Sequence, residues 1–302
     1  MRRVNVWARG VAWLVAAALA MVATAAAADW RTDLKVLRVG FLAGENAAYL
    51  RAEVEPFRKY LQAKLGLPIE MVPAVSYAAL IDQQVRGDVH YAVESATAFV
   101  TAEALCKCVE PLVAPISGDG APGVLSVMVV PAAGIATLPE ARGARVAVAR
   151  GASIAGRLVP LKALAAAGFD PQKDFRLVEV DSEDAAIRAL REGTADAAIG
   201  WTTFAGDAGR GFSRGSLTRM VAGNVMQMSD IRIVWQSQLI PNGPHAVARD
   251  LPEEAKDEIR EVLLALPGAD PAAYDAIERG NSGGFAPIAA AAYAPLRAIV
   301  TP

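Results

Sequence analysis

The chain has 302 residues, with 30 Lys and Arg against 32 Asp and Glu, and its formal net charge is −2. No basic block occurs in the sequence, which argues against a nucleic-acid-binding protein. With 54% apolar residues, a chain of this length can bury a sizeable core in one large or two medium α/β domains.

A secretory signal peptide is predicted over residues 1–28. Arg2, Arg3 and Arg9 form a basic region, an apolar run follows over 11–27, and small residues precede Asp29. A membrane anchor is the alternative, but the run is short for a membrane span and lacks a stop-transfer pattern. Cleavage would remove three arginines and no acids, so 27 basic residues would face 32 acidic ones, a charge of about −5. We therefore expect an exported, soluble protein.

The sequence after residue 35 alternates apolar strands with amphipathic helices, which predicts a mostly parallel, doubly wound sheet. Asn46 is a candidate helix cap, and Gly66 and Pro68 are candidate terminators. The predicted strands are 36–42, 69–72, 89–93 and 112–116, and the predicted helices are 46–65, 77–85 and 95–105.

A turn-rich loop over residues 117–123 separates this series from a second one. The second series has strands at 124–130, 145–149, 175–180, 195–200 and 231–235, and helices at 153–167, 182–191, 252–266 and 289–300. We predict lobe 1 from residues 29–130 and 240–302, and lobe 2 from residues 131–239. Two crossing strands, near 124–131 and 231–240, would join the lobes, and the cleft between them would bind the ligand.

The two cysteines, Cys106 and Cys108, follow an Ala-rich helical pattern. Free or buried thiols, a local disulfide and a metal site are all open, although the three-residue ring is tight for a disulfide. His90 and His245 do not stand at ligand spacing from the cysteines. We predict no metal and no cofactor.

Six segments of the chain carry a recognisable pattern, in this order: Leu37–Gly40, Tyr60–Gly66, Ser76–Ile81, Gly87–Ala92, Ser153–Pro160 and Trp235–Pro241. Together they resemble the phosphonate/phosphite/phosphate periplasmic binding proteins of ABC importers. The resemblance covers nearly all of the chain after the signal peptide. It implies a type II periplasmic-binding-protein fold, which has two α/β lobes around a cleft, and an ABC permease in the inner membrane as partner. We expect a monomer.

The resemblance also implies an oxyanion site at a helix N-terminus, where free N–H groups and the helix dipole stabilise an anion. The matching positions are Ser153, Ile154, Ala155 and Gly156, so one hydroxyl of the family motif is kept and two are lost. Glu183 stands at the position of the family's pocket histidine, and Tyr77 matches a pocket residue. Val124 replaces a pocket aromatic, and Ser95-Ala96 replaces a strand-end Gly-Pro.

Three carboxylates follow predicted strands, at the sheet edge where α/β proteins bind ligands. They are Glu45, Glu94 and Glu183. Solvated rim acids or helix-capping charges are the alternative, and a cleft for a cationic ligand is the functional interpretation. Trp201 also follows a strand and is a candidate contact. Ligand contact and core packing remain open for Tyr77, and an acidic-ligand contact and a surface position remain open for Arg157.

The sequence therefore predicts the periplasmic solute-binding component of an ABC importer, with a diverged pocket for a small polar solute that carries a cationic group. A periplasmic sensor or accessory binding protein without a transport role is the alternative. An enzyme is disfavoured, because no Ser/His/Asp or Cys/His constellation, metal cluster or phosphate-binding loop is found in the sequence.

Overall fold

A computed structural model describes residues 29–44, 46–151 and 153–300. The predicted signal peptide and Glu45 lie outside these residues. Of the described residues, 29–35 belong to one compact unit and those from Val36 onward belong to another. In the first unit, helix α1 (Trp30–Leu34) begins after Asp29, whose side chain accepts a hydrogen bond from the Arg31 N–H at 3.2 Å.

The first half of the larger unit alternates strands and helices as the sequence predicts. Its strands are β1 (Leu37–Leu42), β2 (Ile69–Ala74), β3 (Tyr91–Val93) and β4 (Val109–Pro115). Its helices are α2 (Ala47–Glu53), α3 (Glu55–Leu65), α4 (Tyr77–Val85) and α5 (Ala96–Cys106). The single predicted helix over 46–65 is two helices, because Val54 interrupts it and Pro56 opens the second one.

The second half contains the remaining strands, and the sequence does not predict the last three of them. The strands are β5 (Gly123–Pro131), β6 (Arg145–Ala149), β7 (Arg176–Val180), β8 (Ala197–Thr202), β9 (Ile231–Gln236), β10 (Ile240–Pro241), β11 (His245–Ala248) and β12 (Phe285–Pro287). The helices are α6 (Val159–Ala166), α7 (Pro171–Asp174), α8 (Glu183–Arg191), α9 (Ser216–Ala222), α10 (Glu253–Ala269), α11 (Pro271–Ile277) and α12 (Ala294–Val300). A π-helical turn, Ile154–Leu158, precedes α6.

The strands of the described chain form two six-stranded sheets. The first has the order β12-β4-β11-β3-β1-β2, and the second has the order β10-β5-β8-β6-β7 with β9 also paired to β5. Strand β1 is parallel to β2 and β3, and β6 is parallel to β7 and β8, whereas β5 and β11 pair antiparallel with their neighbours. Each sheet therefore has a parallel βα part and an antiparallel part, as expected of a mixed α/β protein.

The chain passes from the first sheet to the second before β5 and returns after β10. Strand β5 pairs with β8 and β9 over Leu125–Pro131 and therefore belongs to the second sheet. The predicted boundary at residue 130 divides this strand. We propose instead that the first crossing is the loop at 116–122 and that the second is the segment after Pro241.

Both lobes are held by apolar cores that follow the sequence periodicity. In β1 the side chains of Leu37, Val39 and Phe41 are buried, as alternation predicts. Gly40 lies between them because a Cβ there would be 2.7 Å from Leu80 Cδ1, so the glycine lets α4 approach the sheet. The second lobe has its own cluster around Val127, Val129 and Ile187.

Cys106 and Cys108 form a disulfide at the end of α5. This is one of the three alternatives that the sequence leaves open. Over the residues that the structure describes, no helix is both long and apolar enough to cross a membrane.

Candidate functional site

A cavity of about 600 Å³ lies at the carboxyl ends of β1 and β3. The N-terminal turns of α4 and α5 face it, because each helix follows a strand and is capped by a serine. Ser76 Oγ accepts from the Ala79 N–H at 3.2 Å, and Ser95 Oγ accepts from the Ala98 N–H at 3.1 Å. The segments 240–243 and 276–281 complete the wall, together with Ile154 from the second lobe. The cavity therefore lies at the junction of the two lobes.

Glu94 is the most perturbed carboxyl of this cavity. It follows β3 directly, is only 6% exposed and lines the cavity. Its Oε1 accepts a hydrogen bond from Gln84 Nε2 at 3.1 Å, whereas its Oε2 has no hydrogen-bond partner among the described residues. Burial raises the pKa of Glu94 from its ordinary value of 4.5 to about 8, and the Gln84 hydrogen bond opposes this shift. The carboxyl is therefore mostly protonated at neutral pH.

A second carboxyl of the cavity, Glu278, is buried but fully engaged. Its Oε2 accepts from Asn281 Nδ2 at 2.9 Å, and its Oε1 is 2.7 Å from His245 Nε2. Since a carboxylate only accepts, Nε2 is the donor, and the other ring nitrogen, Nδ1, is hydrogen-bonded to the hydroxyl of Tyr91. Burial, and secondly the charge of Glu278, raises the pKa of Tyr91. This network holds Glu278 in a fixed orientation.

Tyr77 stands at the mouth of the same cavity. It opens α4 and remains 39% exposed. Partial burial raises the pKa of its hydroxyl, and a hydrogen bond with Ser95 opposes that shift. Arg279 is the one cationic side chain among the described residues that line the cavity, and it is paired with Glu53. The cavity therefore contains more acidic than basic groups.

The predicted oxyanion motif lies on the second lobe, and there the chain's own carboxylate covers it. Ser153 Oγ accepts from the Gly156 N–H at 3.0 Å and donates to Glu183 Oε1. A Cβ on Gly156 would be only 2.4 Å from Glu183 Oε1, so the glycine makes room for this carboxylate. Glu183 itself opens α8, whose N-cap is Ser182. The one hydroxyl kept from the family motif is thus already bonded to an acidic side chain.

Trp201 is the penultimate residue of β8 on the same lobe and packs against a charged pair. The Arg219 guanidinium lies 5.3 Å from the centroid of its ring, and Arg219 Nε donates to Asp184 Oδ2 at 2.8 Å. Arg157 pairs with Glu179 at 2.7 Å, an internal ion pair that favours the surface interpretation of this arginine over an acidic-ligand contact.

The predicted site residues therefore fall into two groups. Tyr77, Glu94 and Ile154 line the cavity, while Ser153, Gly156 and Glu183 contact one another on the second lobe. Ala155 contributes a backbone carbonyl that accepts from Ser126 Oγ at 2.7 Å. Trp201 is not part of the cavity wall, and Glu45 lies outside the described residues.

Sequence reasoning missed three polar residues that line the cavity, Asn242, Glu278 and Asn281. It also missed Gln84 and His245, which hydrogen-bond to the cavity's carboxyls Glu94 and Glu278. Gln84 lies inside a helix, and Glu278 follows α11, a helix that the sequence did not predict. No strand-end pattern marks them. In the sequence, His245 is a candidate only for metal binding. The described residues contain no group of three or more His, Cys, Asp or Glu that could hold a metal ion.

Two α/β lobes, each with its own sheet, and a cavity at their junction define a substrate-binding protein of the type II periplasmic-binding-protein fold. Residues 39–293 match the family described as "ABC transporter, phosphonate, periplasmic substrate-binding protein". The chain belongs to this family of ABC-transporter binding proteins, whose members bind small-molecule substrates and are not enzymes.

Individual relatives are distant. The chain is 25% identical over 239 residues to the phosphate-import protein PhnD of Mycolicibacterium smegmatis, an alignment that covers 76% of this chain and 71% of that protein. It is similar in structure to XAC2383 from Xanthomonas citri bound to ATP, with a TM-score of 0.57 and 19% identity over 88% of this chain and 96% of the other. The chloride-bound form of XAC2383 gives a TM-score of 0.55 at the same identity and coverage. At this identity the two structures support the fold alone.

Proposed function

We propose that this protein is the periplasmic solute receptor of an ABC importer, and that its ligand is a small polar solute carrying a cationic group. The family supplies the transport context, and the phosphate-import relative supplies the comparison for the ligand. The observation that carries the proposal is the contact of the Glu183 carboxylate with Ser153 and Gly156, at the position where the family motif would bind an oxyanion.

The charges decide against a bare oxyanion at that position. A carboxylate about 4 Å from an anionic ligand would repel it by about 4 kcal/mol per unit charge at an effective dielectric constant of about 20. A helix N-terminus contributes only about 0.3–2 kcal/mol in favour of the anion. With Ser153 bonded to Glu183, no hydroxyl of the motif is left to make up the difference.

The two carboxyl groups of the cavity, which can accept hydrogen bonds from a cation, support a cation-bearing ligand. Glu94 and Glu278 both line it, and the cationic Arg279 is committed to Glu53. Polar side chains such as Thr97 and Asn242 offer further hydrogen bonds. A solute with an ammonium group would meet acceptors in lobe 1 and would avoid the repulsion that an anion meets at Glu183 in lobe 2.

Polar contacts beside the first crossing support a receptor that closes by lobe motion. Asp119, in the loop between β4 and β5, accepts hydrogen bonds from Thr203 Oγ1 at 3.1 Å and from Ser213 Oγ, both in the second lobe. Ser117 Oγ in the same loop accepts from Arg214 Nη1. Because these bonds can rearrange without disturbing either core, the angle between the lobes can change.

Calorimetry with a matched ligand pair tests the proposal. An aminoalkylphosphonate and the alkylphosphonate of equal length differ only in the ammonium group, and we expect the first to bind at least about tenfold more tightly, which corresponds to about 1.4 kcal/mol. Glu183→Gln should strengthen binding of the alkylphosphonate and of inorganic phosphate. Glu192→Gln, which removes an exposed carboxylate at the other end of α8, is the control. Tight phosphate binding by the wild type that Glu183→Gln leaves unchanged would refute the proposal.

Two further measurements address the receptor role and export. X-ray scattering should give a smaller radius of gyration with the bound ligand than without it, and uptake of that ligand should be lost when the protein is removed from its host. Closure with normal uptake would favour the sensor or accessory role. Mass spectrometry of the exported protein should show a monomer that has lost about 28 residues, whereas a full-length form retained in the membrane would contradict export by a cleaved signal peptide.

A further inference from the structure

We propose that Glu94 is the residue that binds the ligand's ammonium group, and that it releases its proton to solvent when it does so. This inference rests on the proposed cation-bearing ligand and selects Glu94 from the three candidate carboxylates that the sequence indicates. Binding would replace the O–H of a neutral carboxyl by an ion pair between a carboxylate and an ammonium, and the proton would pass to the buffer.

The geometry shows a shortage of donors around Glu94. Gln84 Nε2 donates to Glu94 Oε1, and both residues are more than nine-tenths buried. On either side of this hydrogen bond, Gln84 Oε1 and Glu94 Oε2 are buried without a partner among the described residues. Of these two residues only Glu94 lines the cavity, and buried polar atoms are nearly always hydrogen-bonded, so once Glu94 is ionised its unpaired Oε2 calls for a group that donates. An ammonium has three N–H donors and no acceptor.

The other charged residues of the cavity are already paired, so Glu94 is the carboxyl available to bind an ammonium. Glu278 lines the same cavity, but both of its oxygens are bonded, to His245 and Asn281. Arg279, the cavity's cation, is paired with Glu53 and does not neutralise Glu94. The remaining titratable groups that face Glu94 are the hydroxyls of Tyr77 on α4 and Tyr293 on the turn before α12, and both pKa values are raised, chiefly by burial. They stay neutral near pH 7.

The proton inventory gives the expected pH dependence. With a pKa of about 8 in the free protein, Glu94 holds about 0.9 of a proton at pH 7 and must release it to form the ion pair. The apparent affinity for an ammonium should therefore rise about tenfold per pH unit up to about pH 8 and then level off. A primary ammonium has a pKa near 10 and stays charged across this range.

The test uses methylammonium chloride as the probe, because it is small enough for the cavity and its binding does not depend on the natural ligand. The carboxyl of Glu94 is followed by carbon-13 NMR of the wild-type exported protein during a pH titration, with Glu94→Gln used for assignment. At a few tenths molar methylammonium, we expect the Glu94 midpoint to fall by about one pH unit or more relative to equal sodium chloride. Glu254→Gln, an exposed carboxylate on α10, is the matched control and should leave the shift unchanged.

Each outcome decides the proposal. An unchanged midpoint, an equal fall in sodium chloride, or a Glu94 midpoint near 4.5 without methylammonium would overturn it. Calorimetry of the aminoalkylphosphonate in buffers of different ionisation enthalpy separates it from the proposed function. Tight binding of the aminoalkylphosphonate without proton release would support the cationic ligand and refute the role of Glu94. A fall of the Glu94 midpoint in methylammonium, with no cationic ligand found, would support the Glu94 site and refute the proposed ligand class.

Discussion

The substitution Glu94→Gln should flatten the dependence of stability on pH. In the wild type, a carboxyl buried at the cavity wall has a pKa raised by burial to about 8. Glutamine has nearly the same shape, can accept the Gln84 hydrogen bond at its side-chain oxygen, and does not ionise. The substitution therefore removes one titration and very little packing.

The sign follows from where the proton is bound. Between the ordinary pKa of 4.5 and the raised value of about 8, the folded protein keeps a proton on Glu94 that the unfolded chain has released. The free energy of unfolding therefore falls with rising pH by about 1.4 kcal/mol per pH unit, and levels off above the raised pKa. Integrated from about pH 5 to about pH 8, this single group lowers the stability of the wild type by roughly 3–4 kcal/mol.

Urea unfolding at a series of pH values measures this difference directly. We expect the stability of Glu94→Gln minus that of the wild type to grow with pH and then to reach a plateau above about pH 8. Glu254→Gln removes an exposed carboxylate and should run parallel to the wild type. A constant difference between Glu94→Gln and the wild type from pH 5 to 8 would mean that Glu94 titrates normally, and would refute this account of the cavity.

Three further changes test other contacts. Gly156→Ala should push the Glu183 carboxylate off Ser153, because the new alanine Cβ would lie 2.4 Å from Glu183 Oε1. The free energy of unfolding should fall by about 1 kcal/mol. The double variant Gly156→Ala with Glu183→Ala should regain this stability in urea unfolding. Asp119→Asn should weaken the hydrogen bonds to the second lobe by about 1 kcal/mol in total and increase the radius of gyration of the free protein; no change in scattering would contradict the role of this loop. The Cys106–Cys108 disulfide closes a very short ring, so its reduction should lower the free energy of unfolding by at most about 1.6 kcal/mol in thermal unfolding.

Much of the fold could be predicted because its signals are local. The parallel part of each sheet consists of apolar strands followed by serine-capped helices, such as α4 after Ser76 and α8 after Ser182. The strands that were missed have only two to four residues each, such as β10 at Ile240–Pro241, and pair antiparallel with distant strands. These strands are stabilised by partner strands elsewhere in the sheet, and the local sequence does not identify those partners.

The site was only half predictable for a related reason. A carboxylate placed after a strand indicates a position at the sheet edge, and of the two described candidates Glu94 lines the cavity whereas Glu183 does not. Glu278 has no such signal, because it follows the unpredicted helix α11 and reaches the cavity through the fold of the whole lobe. The orientation of Glu278 depends on His245, which is 33 residues away in the chain.

Glu94 and Glu183 show how environment separates two residues that have the same sequence signature. Glu183 is half-buried, accepts a hydrogen bond from Ser153 and lies at a helix N-terminus, a setting that stabilises a negative charge. Glu94 is buried with one unpaired oxygen, and that setting opposes a negative charge until a cation arrives. Under the proposed function, the first carboxylate would exclude oxyanions from lobe 2, while the second would stay neutral in lobe 1 until an ammonium binds. One receptor would thus reject phosphate with one glutamate and select an amine with the other.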